Sequence, residues 1–249
     1  MAATGETLNL ILSHQSPVAL GKMLDWWSEH VPRESILIAY GGTKENFGAI
    51  EFAQKFFVED ERLRTRDHQR EVQSYTEIFR TAADYLATRE TQFHFVHFAE
   101  YDHLPITEKL NERQIEYLKN ERADVIGFHV YRVDGTSNPH FLYHTANKNF
   151  LDYWPEISCR ADASIVLSMF GSGSFWRYEA FRAVASMPEP FPIYMEIYLP
   201  TTAHHLGFRV RDFGAQNRFV GVKDETNKIE QARKDGAWTL HPVKDLWNR

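Results

Sequence analysis

Cysteine is almost missing from this sequence: Cys159 is the single one in 249 residues. It has no internal partner for a disulfide, and no cysteine cluster offers a zinc site, so the composition fits a reducing compartment. No apolar run reaches the length that spans a bilayer. The start, "MAATGETLNLILSHQ", puts no basic residues ahead of its short apolar stretch, and reads as neither signal peptide nor anchor. A basic excess is also lacking. The net charge of −6 supplies no global field for nucleic acid or anionic lipid. The HExxH, Walker A and GxSxG patterns do not occur, which removes the zincin, P-loop and serine-hydrolase readings. No repeat, low-complexity tract or Gly/Ser linker divides the chain. The expectation is a cytoplasmic protein, peripheral to a membrane at most, or a catalytic domain cut from something longer, with no transmembrane segment and no nucleic-acid partner.

Hydrophobic residues at 43% and charged residues at 25% are the balance of a soluble globular domain. Strand-like and helix-like segments alternate along the first half. "TLNLILS" (7–13) reads as a strand, and Ser16-Pro17 then supplies an N-cap and first-turn proline for a helix over 17–31. Strands follow at 35–42 and 55–60, then an amphipathic helix at 67–87, a strand at 93–99, a helix near 107–121 and a strand at 123–133. Later come a strand at 164–170, the glycine turn "GSGS", a helix at 175–186, a Pro-rich loop, the segment "IYMEIYLPTTAHHLG" and a short strand at 208–213. Alternation of this kind predicts an α/β domain with a mostly parallel central sheet flanked by helices. Residues 223–249 read as a polar tail.

In such sheets ligands collect at the carboxyl ends of strands. "FHFVHFAEYDHLPI" (93–106) places Glu100 and Asp102 one residue apart at such an end. Two oxygen donors there hold a divalent cation, or form an ordinary solvated turn. "MFGSGSFWRYEAF" is no dinucleotide fingerprint, since Trp176 stands where a third glycine is needed, but its glycines suit close packing against a bulky ligand. Trp176 is a sugar platform or a core residue. Glu196, at the start of a helix, is placed to deprotonate a hydroxyl, or merely to favour the helix dipole. His204 and His205 are metal or phosphate contacts, or C-terminal caps. His94 and His97, three apart in a strand, fall on opposite faces and do not share a metal.

The order of these elements resembles GT-A type (Rossmann-like) glycosyltransferases. Within that class "ILSHQSPVALGKMLDWW", "FVHFAEYDHLPI" and "YMEIYLPTTAHHLG" are similar to segments of the core-2/I-branching N-acetylglucosaminyltransferases and xylosyltransferases. The resemblance spans about residues 7–213 in short motifs. It departs from that family at Glu100-Tyr101, and its members neutralise the donor diphosphate with basic side chains rather than a metal. It implies a single GT-A-like domain over 1–249, with a nucleotide-sugar half at about 7–105 and an acceptor half at about 106–222. The implied activity is transfer of a sugar from a nucleotide sugar, UDP-sugar favoured, to a hydroxyl of a glycan or similar acceptor, with inversion. Glu196 would be the base and Glu179 its alternate. Glu100, Asp102 and His205 would hold Mn²⁺ or Mg²⁺. Ser13, His14, Gly42 and Asp102 would contact the donor, and Arg209, Arg211, Arg218 and Lys223 would hold its diphosphate if no metal does. Gly173, Ser174 and Trp176 would meet the acceptor. A sugar-nucleotidyltransferase, a non-catalytic glycan or nucleotide-sugar binder and, most remotely, an S-adenosylmethionine methyltransferase are the alternatives.

Overall fold

The run "TLNLILS" is buried along its whole length as strand β1 (Thr7–Ser13), as expected for a strand covered on both faces. In the computed structural model, which describes residues 6–59, 76–88, 93–157, 164–188, 191–244 and 246–247, it lies near the centre of a seven-stranded sheet. Helix α1 (Pro17–Ser28) begins where the sequence places it: the Ser16 side chain accepts from Ala19 N–H at 3.3 Å, and Pro17 opens the first turn. There follow β2 (Ile36–Tyr40), α2 (Lys44–Ala49), β3 (Lys55–Phe57), α3 (Thr76–Ala87) and β4 (Phe95–Glu100). Residues 67–75 of the expected long helix lie outside the described residues. Next come β5 (Leu104–Pro105), α4 (Leu110–Asn120), β6 (Val125–Gly127), β7 (Tyr131–Arg132), α5 (Pro139–Ala146) and α6 (Phe150–Ile157). The chain continues through β8 (Leu167–Ser168), β9 (Ser174–Arg177), α7 (Tyr178–Ala185), α8 (Met195–His205), β10 (Val210–Asp212), α9 (Ile229–Lys234) and β11 (Thr239–Leu240).

The sheet order is β10-β6-β9-β4-β1-β2-β3. All neighbours are parallel except β9, which runs antiparallel to both β4 and β6. The fold is therefore a single α/β domain with a mostly parallel central sheet flanked by helices, as the sequence predicts. Side-chain alternation splits the core into layers. Leu8, Leu10 and Leu12 of β1 join Val96 and Phe98 of β4 beneath α3, α7 and α8. Ile11 turns the other way with Ile36, Ile38 and Ala99, beneath α1. No helix among the described residues is long and apolar enough to cross a membrane.

Two expectations differ from what is observed. The segment 175–186 starts as strand β9 and becomes helical only at Tyr178, because Phe175 and Trp176 pair with Ile126 and Val125 on one side and with His97 and Val96 on the other. Residues after 223, read as a polar tail, are packed: Ala232, Ala237, Leu240, Val243 and Trp247 are buried beside α1, and β11 pairs antiparallel with β5.

The second layer also buries polar groups. Asn9 Nδ2 donates to Ser35 Oγ at 2.9 Å and to Asn111 Oδ1 at 3.1 Å, and His97 Nδ1 lies 3.2 Å from Asn9 Oδ1, which can only accept. His97 thus has a structural partner, and burial lowers its pKa to about 3. A histidine kept neutral in the fold but titrating near its ordinary 6.5 when unfolded stabilises the protein above that pH and loses the contribution as pH falls towards 3. Urea unfolding at pH 7 and pH 5 should show a loss of stability that is smaller in His97→Gln by about 2 kcal/mol. Equal losses in both proteins would contradict the assignment.

Candidate active site at the carboxyl edge of the sheet

The carboxyl ends of β1, β2 and β4 lie at one edge. Leu12 pairs with Glu100, and Tyr101 N–H donates to Leu12 O at 2.9 Å. The chain then turns tightly, with His103 N–H on Glu100 O at 2.9 Å, which projects Glu100 and Asp102 past the strand. The C-terminal segment straps this turn from outside. Ile106 N–H donates to Trp238 O, Val243 N–H to Asp102 O, and the Trp247 indole N–H to Tyr101 O at 3.2 Å. These bonds put His241 against the acidic pair.

Glu100, Asp102 and His241 each offer one ligand atom, all within 4.8 Å of one another. His241 Nε2 is 3.2 Å from Asp102 Oδ1 and 4.0 Å from Glu100 Oε2. His241 Nδ1 faces Gly221 O at 3.2 Å, and a carbonyl only accepts, so in the neutral ring the proton sits on Nδ1 and the Nε2 lone pair points at the carboxylates. Asp102 Oδ1 is buried with no hydrogen-bond donor. Carboxylate oxygens and an imidazole nitrogen converging at a largely buried place suit a divalent cation such as Mn²⁺ or Mg²⁺. His241 carried no signal in the sequence reading because it lies in the stretch taken for a tail. The alternation of "AWTLHPV" (237–243) was the available clue.

The glycine turn before β9 completes the edge. Glu100 N–H donates to Ser172 Oγ at 2.9 Å, and Gly171 N–H donates to Glu196 Oε1 at 3.2 Å. Adjacent residues of one turn therefore hold the acidic pair and Glu196, which sits in the first turn of α8. Gly173, at φ +86°, packs against the ring of His103 and that of Phe128, where a Cβ would collide with both. His103 is fully buried; burial foremost, with His241 and His97 nearby, holds its pKa well below the ordinary value.

Ser13, His14 and Gly42 share this edge. Ser13 ends β1, with its carbonyl accepting from Gly41 N–H at 2.9 Å. The exposed His14 ring packs edge-on against Tyr101 at 4.7 Å, and Gly42 lies against the Tyr40 ring. Other expected residues lie elsewhere. Trp176 is a correction: it is 0% exposed, packed on Phe79 with its N–H on Ser174 Oγ, so no sugar reaches it. Ser174 is equally buried. His205 is buried in α8 with Nε2 on Ile165 O at 2.8 Å, outside the Glu100–Asp102–His241 group. Glu179 follows β9, and because β9 runs backwards it belongs to the opposite edge, five or more residues of strand from Glu100, roughly 15 Å away. Arg209 is at that far edge too, 3.5 Å from Asp124, which also meets Arg177. Arg211 turns back on Val210 O, and Arg218 binds Asp235 O at 2.7 Å. Lys223 is exposed, two residues after Gly221, whose carbonyl faces His241 Nδ1.

No family model and no curated protein matches the chain. Solved structures similar to it include a mannosyltransferase from Pyrobaculum calidifontis in complex with GDP-Man and Mn²⁺, at 11% identity and TM-score 0.47, covering 85% of this chain and 55% of that one. Core-mannan synthase A from Aspergillus fumigatus in its Mn/GDP form is similar at 11% identity and TM-score 0.38, over 87% of this chain and 74% of that one. A197 from STIV is similar at 12% identity and TM-score 0.33, over 84% and 81% of the two chains. This chain thus spans about half the length of the first.

Gly173→Ala should destabilise the protein by roughly 2–5 kcal/mol, the sum of a left-handed backbone and a collision with His103. Chemical denaturation checks this. A loss below about 1 kcal/mol would mean that the turn relaxes freely.

Proposed function

We propose that this chain is a GT-A type glycosyltransferase that moves a sugar from a nucleotide sugar to a hydroxyl of a glycan or similar acceptor, with inversion. The observation that carries the reading is the Glu100–Asp102–His241 group at the carboxyl edge, joined through Ser172 and Gly171 to the carboxylate of Glu196. Asp102 Oδ1 and His241 Nε2, with Glu100, are the atoms that would hold a divalent cation. Bound there, the cation supplies charge neutralisation for a leaving diphosphate. Glu196 takes the proton of the acceptor hydroxyl as its oxygen attacks the anomeric carbon. The base and the leaving group must stand on opposite sides of that carbon. Ser13, His14 and Gly42 would face the nucleotide at the same edge, and Lys223 would meet a phosphate.

Thermal unfolding with UDP-, GDP-, dTDP- and CMP-sugars, each with and without Mn²⁺, tests the reading. UDP-sugars come first. GDP-mannose stands beside them because the Pyrobaculum protein was solved with it. One donor should raise the melting temperature by about 5 °C or more near saturation, with Mn²⁺ only. Asp102→Asn and His241→Ala should remove that shift. Glu196→Gln should bind the same donor and lose transfer about 100-fold or more. If no nucleotide sugar shifts the transition, the reading fails. Donor binding without turnover would make the chain a binding protein, and near-wild-type transfer by Glu196→Gln would remove the base assignment.

A further inference from the structure

Glu196 has a second neighbour. While Oε1 accepts from Gly171 N–H, Oε2 faces His140 Nε2 of α5 at 3.9 Å. His140 is held from behind: its ring stacks on Tyr194 with centroids 4.3 Å apart and planes 18° apart. The helix that carries it is fastened to the approach to α8. Tyr194 N–H donates to His144 Nε2 at 2.9 Å, and Asn149 Nδ2 reaches both His144 Nδ1 and Pro192 O, each at 2.9 Å. A histidine whose Nε2 accepts from a backbone N–H is neutral and carries its one proton on Nδ1, the nitrogen that faces the Asn149 amide. Burial, foremost, and the neighbouring His140 lower its pKa to about 4. So His144 and Asn149 fix α5 against α8, and His140 is the ring presented to Glu196.

We propose that Glu196 and His140 form an acid–base pair in which His140 positions the carboxylate and carries its proton to solvent. The inference rests on the glycosyltransferase reading and deepens it. In the transfer step the acceptor oxygen bonds to the anomeric carbon, the bond to the diphosphate oxygen breaks with its electron pair, and the hydroxyl proton goes to Glu196. The carboxyl must then shed that proton before the next turnover. His140 is the exit: its side chain is 39% exposed against 21% for Glu196, so the ring bridges the carboxylate and bulk water. At 3.9 Å the two groups are beyond a direct hydrogen bond, and one bridging water or a small rotation closes the gap, as with many catalytic pairs before ligand arrives. Titratable groups facing the pair include His144 from α5 and Tyr194 from the loop before α8.

Two measurements test the pair. The first needs no activity: the ring protons of His140 are titrated by NMR in the wild type and in Glu196→Gln. The midpoint should move to lower pH when the carboxylate becomes an amide, and an unchanged midpoint overturns the pairing. The second follows release of nucleoside diphosphate from UDP-glucose, UDP-N-acetylglucosamine and GDP-mannose with Mn²⁺, water standing in for the acceptor. His140→Ala should lower kcat about tenfold or more with little change in KM, and added imidazole should restore it. Undiminished kcat, or a loss that His140→Gln repairs and imidazole does not, overturns the relay. If the wild type releases nothing from any donor while the NMR midpoint still moves, the glycosyltransferase reading falls and the relay with it, leaving the coupled pair standing.

Discussion

One strand that runs backwards decides which residues can act together. β9 is inserted between β4 and β6 against the direction of both, so its first residues, not its last, reach the carboxyl edge of the sheet. That reversal brings Gly171 and Ser172 to Glu100 and lets the same turn bond Glu196. It also carries Arg177 and Glu179 to the far edge, where Asp124 gathers Arg177 and Arg209. Had β9 run parallel, the glycine turn would have sat at the wrong end. The candidate site and the ion network at the opposite edge are two consequences of one choice of direction.

Local chemistry was legible where it was self-sufficient. The strand over 7–13, its Ser16-Pro17 cap and the acidic turn after β4 need only nearest neighbours to specify them, and the structure has them at those positions. Glu196 likewise opens its helix as the residue pattern suggests. What failed to show was pairing. "FWRY" continues smoothly into a helical pattern, and only contact with β4 and β6 makes it a strand. Trp176, bulky and beside glycines, has the composition of a sugar platform but is sealed into the sheet by that pairing. His241 was hidden for a related reason. Its stretch is rich in charged residues, and its few alternating apolar residues over 237–243 make too short a run to mark a strand by themselves. They become core only when laid along β5 and α1.

The strap formed by the C-terminal segment explains how a buried acidic site is tolerated. Asp102 is 5% exposed, His103 0% and His241 6%. Taking such groups from water is costly unless they are themselves paired, and the strap brings His241 Nε2 to 3.2 Å from Asp102 Oδ1. Here β11 on β5, Val243 N–H on Asp102 O and the Trp247 indole on Tyr101 O hold the main chain on both sides of the turn. Rigidity of this kind prevents the carboxylate from swinging out to solvent to relieve its own desolvation.

The same burial shapes what the site will accept. Phe170 packs on the His241 ring at 5.1 Å, and Phe128 packs on His103 at 5.5 Å, so the acidic group has apolar walls. In low dielectric the attraction of two carboxylates and an imidazole lone pair for a doubly charged cation grows, while a single ammonium offers too little charge and the wrong geometry. Rings on one side and water on the other also give the site a direction. On the proposed function, a diphosphate at Asp102 would extend outward along the edge that carries Ser13, His14 and Gly42, because inward lie His97 and His103, both neutral and both buried. The sugar beyond the diphosphate would then lie towards Gly171 and Glu196, where the carboxylate has a partly exposed histidine at its back.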